Sequence, residues 1–178
     1  MSIQIYILSK LMSEQLYPYQ LKKELSDPVP LAQMVNLSES KLYYHFEALK
    51  KQGLIEPVEV VKDDNRPEKQ LFAITEAGRA QLPEKIYQLF DKAKTITDML
   101  TGIFCIDHVN RDKVISILQY KLTMMERKEE TIRDMKTQLS PNLPKMHLIQ
   151  FASDYHEHLR QHEIESMKTL IEQLKSHE

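Results

Sequence analysis

The stretch SESKLYYHFEALKKQGLI, residues 38–55, decides the fold of this chain. Leu42, Phe46 and Leu49 recur within it at intervals of four and three residues. Such intervals place apolar side chains on one face of an α-helix, because the helix completes a turn in about 3.6 residues. The stretch therefore predicts an amphipathic helix over residues 38–52, with these three side chains facing a core.

Both ends of this helix carry recognisable signals. Asn36 or Ser38 can cap its start, because a short polar side chain accepts a backbone N–H there, and Glu39 follows Asn36 at the spacing of a capping box. Gly53 supplies the left-handed residue that commonly ends a helix, and Leu54 supplies the apolar contact after it. The helix is therefore expected to end just before Gly53.

A β-hairpin is predicted directly after this helix. Residues 55–61 and 70–74 are rich in Ile, Val, Leu and Phe, which favour strands. The polar segment between them, residues 62–69, contains Asp, Asn and Pro and predicts a long charged loop at the hairpin tip. Thr75 can then cap a further helix that begins at Glu76.

Helical patterns occupy the rest of the chain. Residues 2–13 carry apolar side chains at helical spacing, and Pro18 suits the first turn of a second helix. The helix that begins at Glu76 is predicted to continue, with a bend near Pro83, through the connecting segment of residues 81–106. Two long amphipathic helices follow, and the last of them spans about residues 145–175.

This order of helix, helix, capped helix, hairpin and helix is that of a winged helix-turn-helix. We therefore predict a mainly α fold with a small β-hairpin. Residues 1–80 form the N-terminal winged helix-turn-helix domain, residues 81–106 a connecting helix, and residues 107–178 a C-terminal helical dimerisation domain.

Composition narrows the function classes. The 178 residues include 24 Lys and Arg against 26 Asp and Glu, so the net charge of −2 excludes a polycation that binds nucleic acid unselectively. Any DNA affinity must come from basic residues placed on one face. The single cysteine cannot form an internal disulfide, and neither a leader nor a membrane-spanning stretch is seen, so we expect a cytoplasmic protein. The sequence has no phosphate-binding glycine loop and no metal tetrad, so neither an enzyme nor a cofactor is predicted.

Several motifs carry a family resemblance. They are Tyr17-Pro18-Tyr19-Gln20-Leu21-Lys22-Lys23, Ser38, Ser40, Leu42-Tyr43, Leu49, Gly53-Leu54-Ile55, Arg66-Pro67 with Lys69, and Leu71-Phe72 followed by Ile74-Thr75-Glu76-Ala77-Gly78-Arg79. Together they resemble the PadR-like family of winged helix-turn-helix transcriptional regulators, over roughly residues 3–80. The later helices are similar to those of the longer subtype, whose C-terminal helical domain mediates dimerisation. The resemblance implies a homodimeric repressor on a two-fold DNA operator, released by a ligand or a stress signal.

Three residues depart from the family pattern. Pro18 stands where the family usually has glycine, Tyr44 stands where it usually has proline, and Glu68 lies in a wing that is commonly more basic. The last two departures bear on the operator sequence and on the strength of wing contact.

An α-helix fits the major groove, and the early residues of such a helix are the ones placed against base edges. The basic hairpin tip is expected to hold phosphates, although an ordinary solvated turn would have the same composition. Tyr43 is assigned to the core or to an interface rather than to a base. The predicted DNA-binding residues are Ser38, Ser40, Lys41, Tyr44, His45, Lys62, Arg66 and Lys69.

The apolar positions of the last two helices predict dimerisation, because two long amphipathic helices on a small domain need a partner surface. The predicted dimerisation residues are Leu118, Met125, Ile132, Leu139, Leu148, Tyr155, Leu159, Leu170 and Leu174. The methionine-rich C-terminal half is also compatible with a small aromatic effector near the interface, although the same residues make an ordinary helical core.

Alternatives remain open at this point. A winged-helix domain can serve protein–protein assembly without specific DNA binding, which would account for the missing positive charge. His158 and His162 lie one helical turn apart and His156 is near, but the zinc-protease spacing is absent and surface histidines explain the cluster. Cys105 could be a redox-sensing thiol, although a buried, inert cysteine is commoner.

Overall fold

The computed structural model describes residues 2–21, 39–63, 66–137 and 144–176. The predicted caps Asn36 and Ser38 and the predicted dimerisation residue Leu139 lie outside the described residues. The chain divides into two compact units, Met1–Asn110 and Arg111–Glu178.

The first unit contains most of the secondary structure. Its elements are α1 (Ser2–Leu11), α2 (Glu39–Lys51), β1 (Ile55–Asp63), β2 (Arg66–Ile74), α3 (Glu76–Lys92) and α4 (Ile96–Phe104), with a 3-10 turn (Ile106–His108) after them. The second unit contains α5 (Arg111–Thr137) and α6 (Met146–Ser176). The predicted fold class, mainly α with a small β-hairpin in the winged-helix part, is confirmed.

The core of the first unit is built from the apolar faces of α1, α2 and α3. Residues from these helices are fully or almost fully buried, namely Ile5, Ile7, Leu8, Leu11, Leu42, Phe46, Leu49, Leu82, Ile86, Leu89 and Phe90. Leu16 extends the hairpin by one rung, since its backbone N–H and carbonyl both bond to Phe72. Phe46 and Phe72 meet in this core with ring centroids 5.2 Å apart, so α2 and β2 are packed directly together.

The hairpin has longer strands than the sequence predicted. β1 and β2 pair antiparallel from Ile55↔Ile74 to Asp63↔Arg66, so only residues 64–65 separate them. The predicted long loop over residues 62–69 is therefore wrong. The sequence predicts a loop there from its Asp, Asn and Pro residues, whereas the backbone pairing of the two strands continues as far as Asp63↔Arg66.

The single helix predicted through residues 81–106 is also wrong, because the chain breaks between α3 and α4. The Thr95 side chain accepts the Asp98 N–H at 3.2 Å, and the Asp98 carboxylate accepts the Thr95 N–H at 3.1 Å. This reciprocal capping box begins a new helix. A Cβ on Gly102 would lie 2.9 Å from the Phe90 ring, so α4 packs tightly on α3 and belongs to the first compact unit.

In the second unit, α5 and α6 run antiparallel and are joined by ion pairs. Lys136 Nζ lies 2.7 Å from Asp154 and 3.0 Å from Glu157, Arg160 Nε lies 2.5 Å from Glu129, and Lys168 Nζ lies 2.8 Å from Glu126. The order of the partners reverses along the two helices, which fixes the antiparallel arrangement. Within the described residues, no helix is long and apolar enough to span a membrane.

Candidate nucleic-acid interface

The helix predicted over residues 38–52 is α2, and its C-terminal end has the predicted geometry. Gly53 has a φ of +69°, which an L side chain rarely adopts. Its N–H donates to the Lys50 carbonyl at 2.9 Å, and the Leu54 N–H donates to the Leu49 carbonyl at 3.0 Å. These two bonds form a Schellman motif, in which the residue after the glycine packs back on the helix. Leu54 is accordingly buried.

One face of α2 anchors the helix to the domain. Leu42, Phe46 and Leu49 are each at most 1% exposed, which confirms the predicted core face. Burying side chains of this size contributes roughly 1.5–3 kcal/mol each. The orientation of α2 is therefore fixed by its packing, and the side chains on its other face are held in defined positions.

The start of α3 fixes the end of α2 as well. The Thr75 hydroxyl donates to the Gly53 carbonyl at 2.7 Å and accepts the Gly78 N–H at 3.0 Å, so it serves both helices. The Thr75 N–H also donates to the Leu54 carbonyl at 3.1 Å. A Cβ on Gly78 would lie 2.1 Å from the Leu54 carbonyl oxygen. The sequence predicted the role of Thr75 as a cap. Its bond to the Gly53 carbonyl and the close approach of Gly78 to Leu54 are seen only in the structure.

The face of α2 opposite the core is polar and exposed. Ser40, Tyr44, Glu47 and Lys51 follow one another at intervals of four, three and four residues, and all four are exposed. We call these four residues the outer face. Lys41 lies beside them and is also exposed. Tyr44, at 69% exposed, is the most exposed of the large hydrophobic side chains on α2. The structure thus brings the predicted residues Ser40, Lys41 and Tyr44 together.

His45 lies between the core and the outer face. Its ring is half-buried and meets the Tyr44 ring edge-on, with centroids 5.4 Å apart. Its Nδ1 atom is buried and has no hydrogen-bond partner among the described residues. Burial lowers the pKa of His45, since it disfavours the charged imidazolium. His45, a predicted DNA contact, is thus less exposed than Ser40 and Tyr44.

The remaining predicted DNA-binding residues are positioned only in part. Lys62 lies in β1, while Arg66 and Lys69 lie in β2, so all three belong to the paired strands and not to a loop. Ser38 lies outside the described residues. Tyr43, assigned from sequence to the core or to an interface, is 43% exposed, so it is not a core residue of the single chain.

The predicted dimerisation residues fall into two groups. Leu118 and Leu174 are already buried in the single chain, and Met125, Ile132 and Leu170 are half-buried. Leu148, Tyr155 and Leu159 are 46–55% exposed.

The apolar residues that recur at intervals of seven along α5 lie on the face that meets α6 of the same chain. Met125 and Ile132 alternate along α5 with Glu129 and Lys136, at the spacing of one helix face. Glu129 and Lys136 bond to α6 of the same chain. The sequence predicts that a second subunit covers this face. Periodicity shows which face of a helix is apolar, but it does not show which surface covers that face.

Neither of the two sensing alternatives gains a site. Within the ranges that the structure describes, no group of three or more His, Cys, Asp or Glu side chains is arranged to hold a metal ion. Cys105 is buried, and burial raises the pKa of its thiol. A raised pKa keeps the sulfur protonated, which is the less nucleophilic form.

Comparison with known proteins finds one family match, within the first unit. Residues 7–84 match the family model described as Transcriptional regulator PadR-like family. No curated protein sequence matches the chain. Among solved structures, PadR of Bacillus subtilis in complex with operator DNA is similar, with 16% identity, a TM-score of 0.43, and coverage of 96% of this chain and 98% of that one.

Two further solved structures are similar over most of their lengths. The PadR-like transcriptional regulator BC1756 from Bacillus cereus has 18% identity and a TM-score of 0.40, over 99% of both chains. Bacillus subtilis PadR in complex with p-coumaric acid has 14% identity and a TM-score of 0.41, over 98% of this chain and 99% of that one. The family match covers α2, the hairpin and the Thr75 cap, so this part of the chain is similar to the PadR-like family of transcriptional regulators.

Proposed function

We propose that this protein is a sequence-specific DNA-binding regulator that represses transcription as a homodimer on a two-fold operator. The observation that carries the proposal is the outer face of α2, exposed on a helix whose opposite face and C-terminal end are both fixed. An α-helix about 10–12 Å wide fits the major groove, about 12 Å wide, where every base pair shows a distinct pattern of donors and acceptors. Ser40 and Tyr44 then contact base edges.

Contacts to phosphates supply the affinity in this proposal. Lys41 and Lys51 flank the base-reading residues on α2, and the basic residues of the hairpin tip extend the contact along the backbone. Because the whole chain has a net charge of −2, only a few placed cations contribute. Each phosphate contact steepens the dependence of log affinity on log salt by about 0.9.

Titration against the DNA upstream of the protein's own gene, at several salt concentrations, tests the DNA-binding function. We expect saturable, sequence-selective binding that weakens in Lys41→Ala, with the salt slope reduced by about one contact. Lys175→Ala, which removes the same charge from the exposed last turn of α6, is the matched control and should leave the slope unchanged. Uniformly weak binding to every DNA would contradict the proposal and favour an assembly module.

The homodimer is supported by the unusual polarity of the α5–α6 hairpin. Over Met146–Leu159, the only Asp, Glu, Lys or Arg side chains are Asp154 and Glu157, and both bond to Lys136 of α5. The opposite face of the same segment is apolar and exposed. It consists of Leu148, Phe151, Tyr155 and Leu159, which are 46–71% exposed, and we call these four residues the α6 stripe.

A second copy of the chain suits the α6 stripe, since a two-fold axis pairs the same patch on both subunits. Such a dimer also provides two α2 helices for the two half-sites of an operator. Burying each large apolar side chain of the stripe would contribute up to about 1.5–3 kcal/mol. The interface that we propose is thus uncharged at its centre, and it does not require the ion-paired face of α6 to open.

Sedimentation equilibrium at micromolar concentration tests the dimer. We expect the unmodified protein to have twice the mass of the chain and Phe151→Asp to have the mass of a single chain. Gln161→Asp, which adds the same charge to an exposed position of α6 outside the stripe, should remain dimeric. A monomeric unmodified protein, or a Phe151→Asp variant that dimerises as tightly as the unmodified protein, would contradict this interface.

We also propose that a small aromatic effector releases the protein from DNA. The proposal extends the family resemblance and is consistent with the methionine-rich C-terminal half. p-Coumaric acid is a suitable first probe in the DNA titration. We expect the apparent affinity for the operator to fall as the probe is added. Buffer without the probe, at the same pH and ionic strength, should leave the affinity unchanged. An unchanged affinity would count against phenolic acids as effectors.

A further inference from the structure

Glu47 carries a negative charge on the proposed DNA-binding surface of α2, although DNA is itself a polyanion. It lies on the outer face of α2, three residues after Tyr44 and four before Lys51. Its side chain is 53% exposed, and its carboxylate is 3.7 Å from Lys50 Nζ in the same helix. Exposed ion pairs at this spacing add little to stability, and a separation of 3.7 Å is long for a direct bond. The Lys50 pair therefore does not explain an acid at this position.

The base edges of the major groove offer a specific partner for a carboxylate. A carboxylate is acceptor-only, and the N4 amino group of cytosine is the donor that Asp and Glu accept in the groove. Phosphates, in contrast, repel it. A Glu on a groove-facing helix surface is thus compatible with binding only where its oxygens point towards base edges and meet such a donor.

The position of Glu47 along α2 suits a base that Ser40 does not contact. Seven residues separate the two side chains, which corresponds to about 10 Å along the helix axis. Successive bases are about 3.4 Å apart along a DNA strand, so the separation spans about three base-pair steps. Ser40, Tyr44 and Glu47 can then contact different base pairs within one half-site.

We propose that Glu47 is a specificity-determining residue, which selects cytosine at one position of each operator half-site by accepting a hydrogen bond from its N4 amino group. This inference rests on the proposed DNA-binding function and names one base that the outer face reads. The preference for cytosine over other bases at that position should be about tenfold, the scale of one good base contact.

Selection from a pool of randomised operators, followed by affinity measurements on single-base variants, tests the inference. We expect the unmodified protein to prefer cytosine at one position of each half-site. Glu47→Gln should change that preference to adenine, because Gln bonds to the N6 and N7 of adenine. Glu47→Ala should remove the preference there and leave those at all other positions intact. Glu84→Ala, which removes an exposed acid from α3, should alter no preference.

Two outcomes overturn the inference and differ in what they say about the proposed function. If both Glu47 variants bind every sequence more tightly by the same factor, with unchanged preferences, Glu47 only repels phosphates and the regulator remains sequence-specific. If the unmodified protein shows no preference at any position, the proposed function and the inference fail together. Both replacements are good helix formers, and far-ultraviolet circular dichroism of each variant checks that the total helix content is retained.

Discussion

Replacing Gly78 by Ala should test the packing that fixes α2. Gly78 lies in the first turn of α3, directly against the chain that leaves α2. A Cβ added there would lie 2.1 Å from the Leu54 carbonyl oxygen and 2.7 Å from Ile74 Cγ1. The first of these neighbours is backbone and cannot rotate away. The start of α3 would therefore have to retreat from the end of α2.

The expected cost follows from two opposing effects. Alanine is favoured over glycine within a helix by about 0.8–1 kcal/mol, which acts to stabilise the variant. A comfortable contact between carbon and a carbonyl oxygen is about 3.3 Å, so α3 must shift by about 1 Å. Such overpacking costs about 1–3 kcal/mol, and stretching the Thr75–Leu54 backbone bond of 3.1 Å costs about 0.5–1.5 kcal/mol more. We expect a net loss of about 1–3 kcal/mol in the free energy of unfolding.

Urea denaturation followed by circular dichroism measures this loss. Ala80→Gly is a suitable control, because it reverses the change at an exposed position two residues along α3 and should cost only the helix preference of about 0.8–1 kcal/mol. A Gly78→Ala variant that is as stable as the unmodified protein, or more stable, would refute the argument. It would mean that α3 does not approach the Leu54 carbonyl as closely as the structure places it.

Three further predictions concern single contacts. Thr75→Ala should lower the free energy of unfolding by about 1–2 kcal/mol in urea titrations, because the cap of α3 is lost. Thr75→Ser keeps the hydroxyl and should retain most of this stabilisation, so equal losses in the two variants would contradict the role of the hydroxyl. Because burial lowers the pKa of His45, the unfolded chain takes up the proton first, so stability should fall as the pH falls below about 6.5. His45→Gln should flatten this pH dependence of stability in urea titrations between pH 5.5 and 7.5. An unchanged slope would mean that His45 does not cause the pH dependence. Arg160→Ala should cost about 3 kcal/mol because it strands the buried Glu129 carboxylate, whereas replacing both residues by Met and Leu should be nearly neutral; a harmless single replacement would mean that Glu129 is solvated.

Local signals in the sequence were sufficient to predict α2. The Leu42, Phe46 and Leu49 face and the Gly53 terminus depend only on helix periodicity and backbone conformation, so both could be read without knowing the rest of the fold. The break before α4 was also encoded locally, in the Thr95 and Asp98 capping box, but the apolar residues on both sides of it, Phe90 and Ile96, suggested one continuous helix.

Other features depend on which surfaces meet, and periodicity does not specify that. The apolar residues Met125 and Ile132 of α5 are predicted to meet a second subunit. Glu129 and Lys136, on the same face of α5, bond to α6 of the same chain. His45 is predicted among the DNA-reading residues, and its position one residue after Tyr44 places it between the outer face and the core, half-buried. The loop of the hairpin is predicted too long because composition does not show the backbone pairing, which continues to Asp63 and Arg66. In each case the tertiary contacts determined the outcome.

The ratio of affinities for operator and scrambled DNA, measured at one salt concentration for the unmodified protein and for Tyr44→Ala, tests the role of the outer face most directly. We expect the unmodified protein to bind its operator at least about 1,000-fold more tightly than a scrambled duplex of the same length. Tyr44→Ala should reduce that ratio by about 5- to 150-fold while binding the scrambled duplex as before. An unmodified protein with equal affinity for both duplexes, or a Tyr44→Ala variant with an unchanged ratio, would contradict the assignment of α2 as the helix that reads DNA.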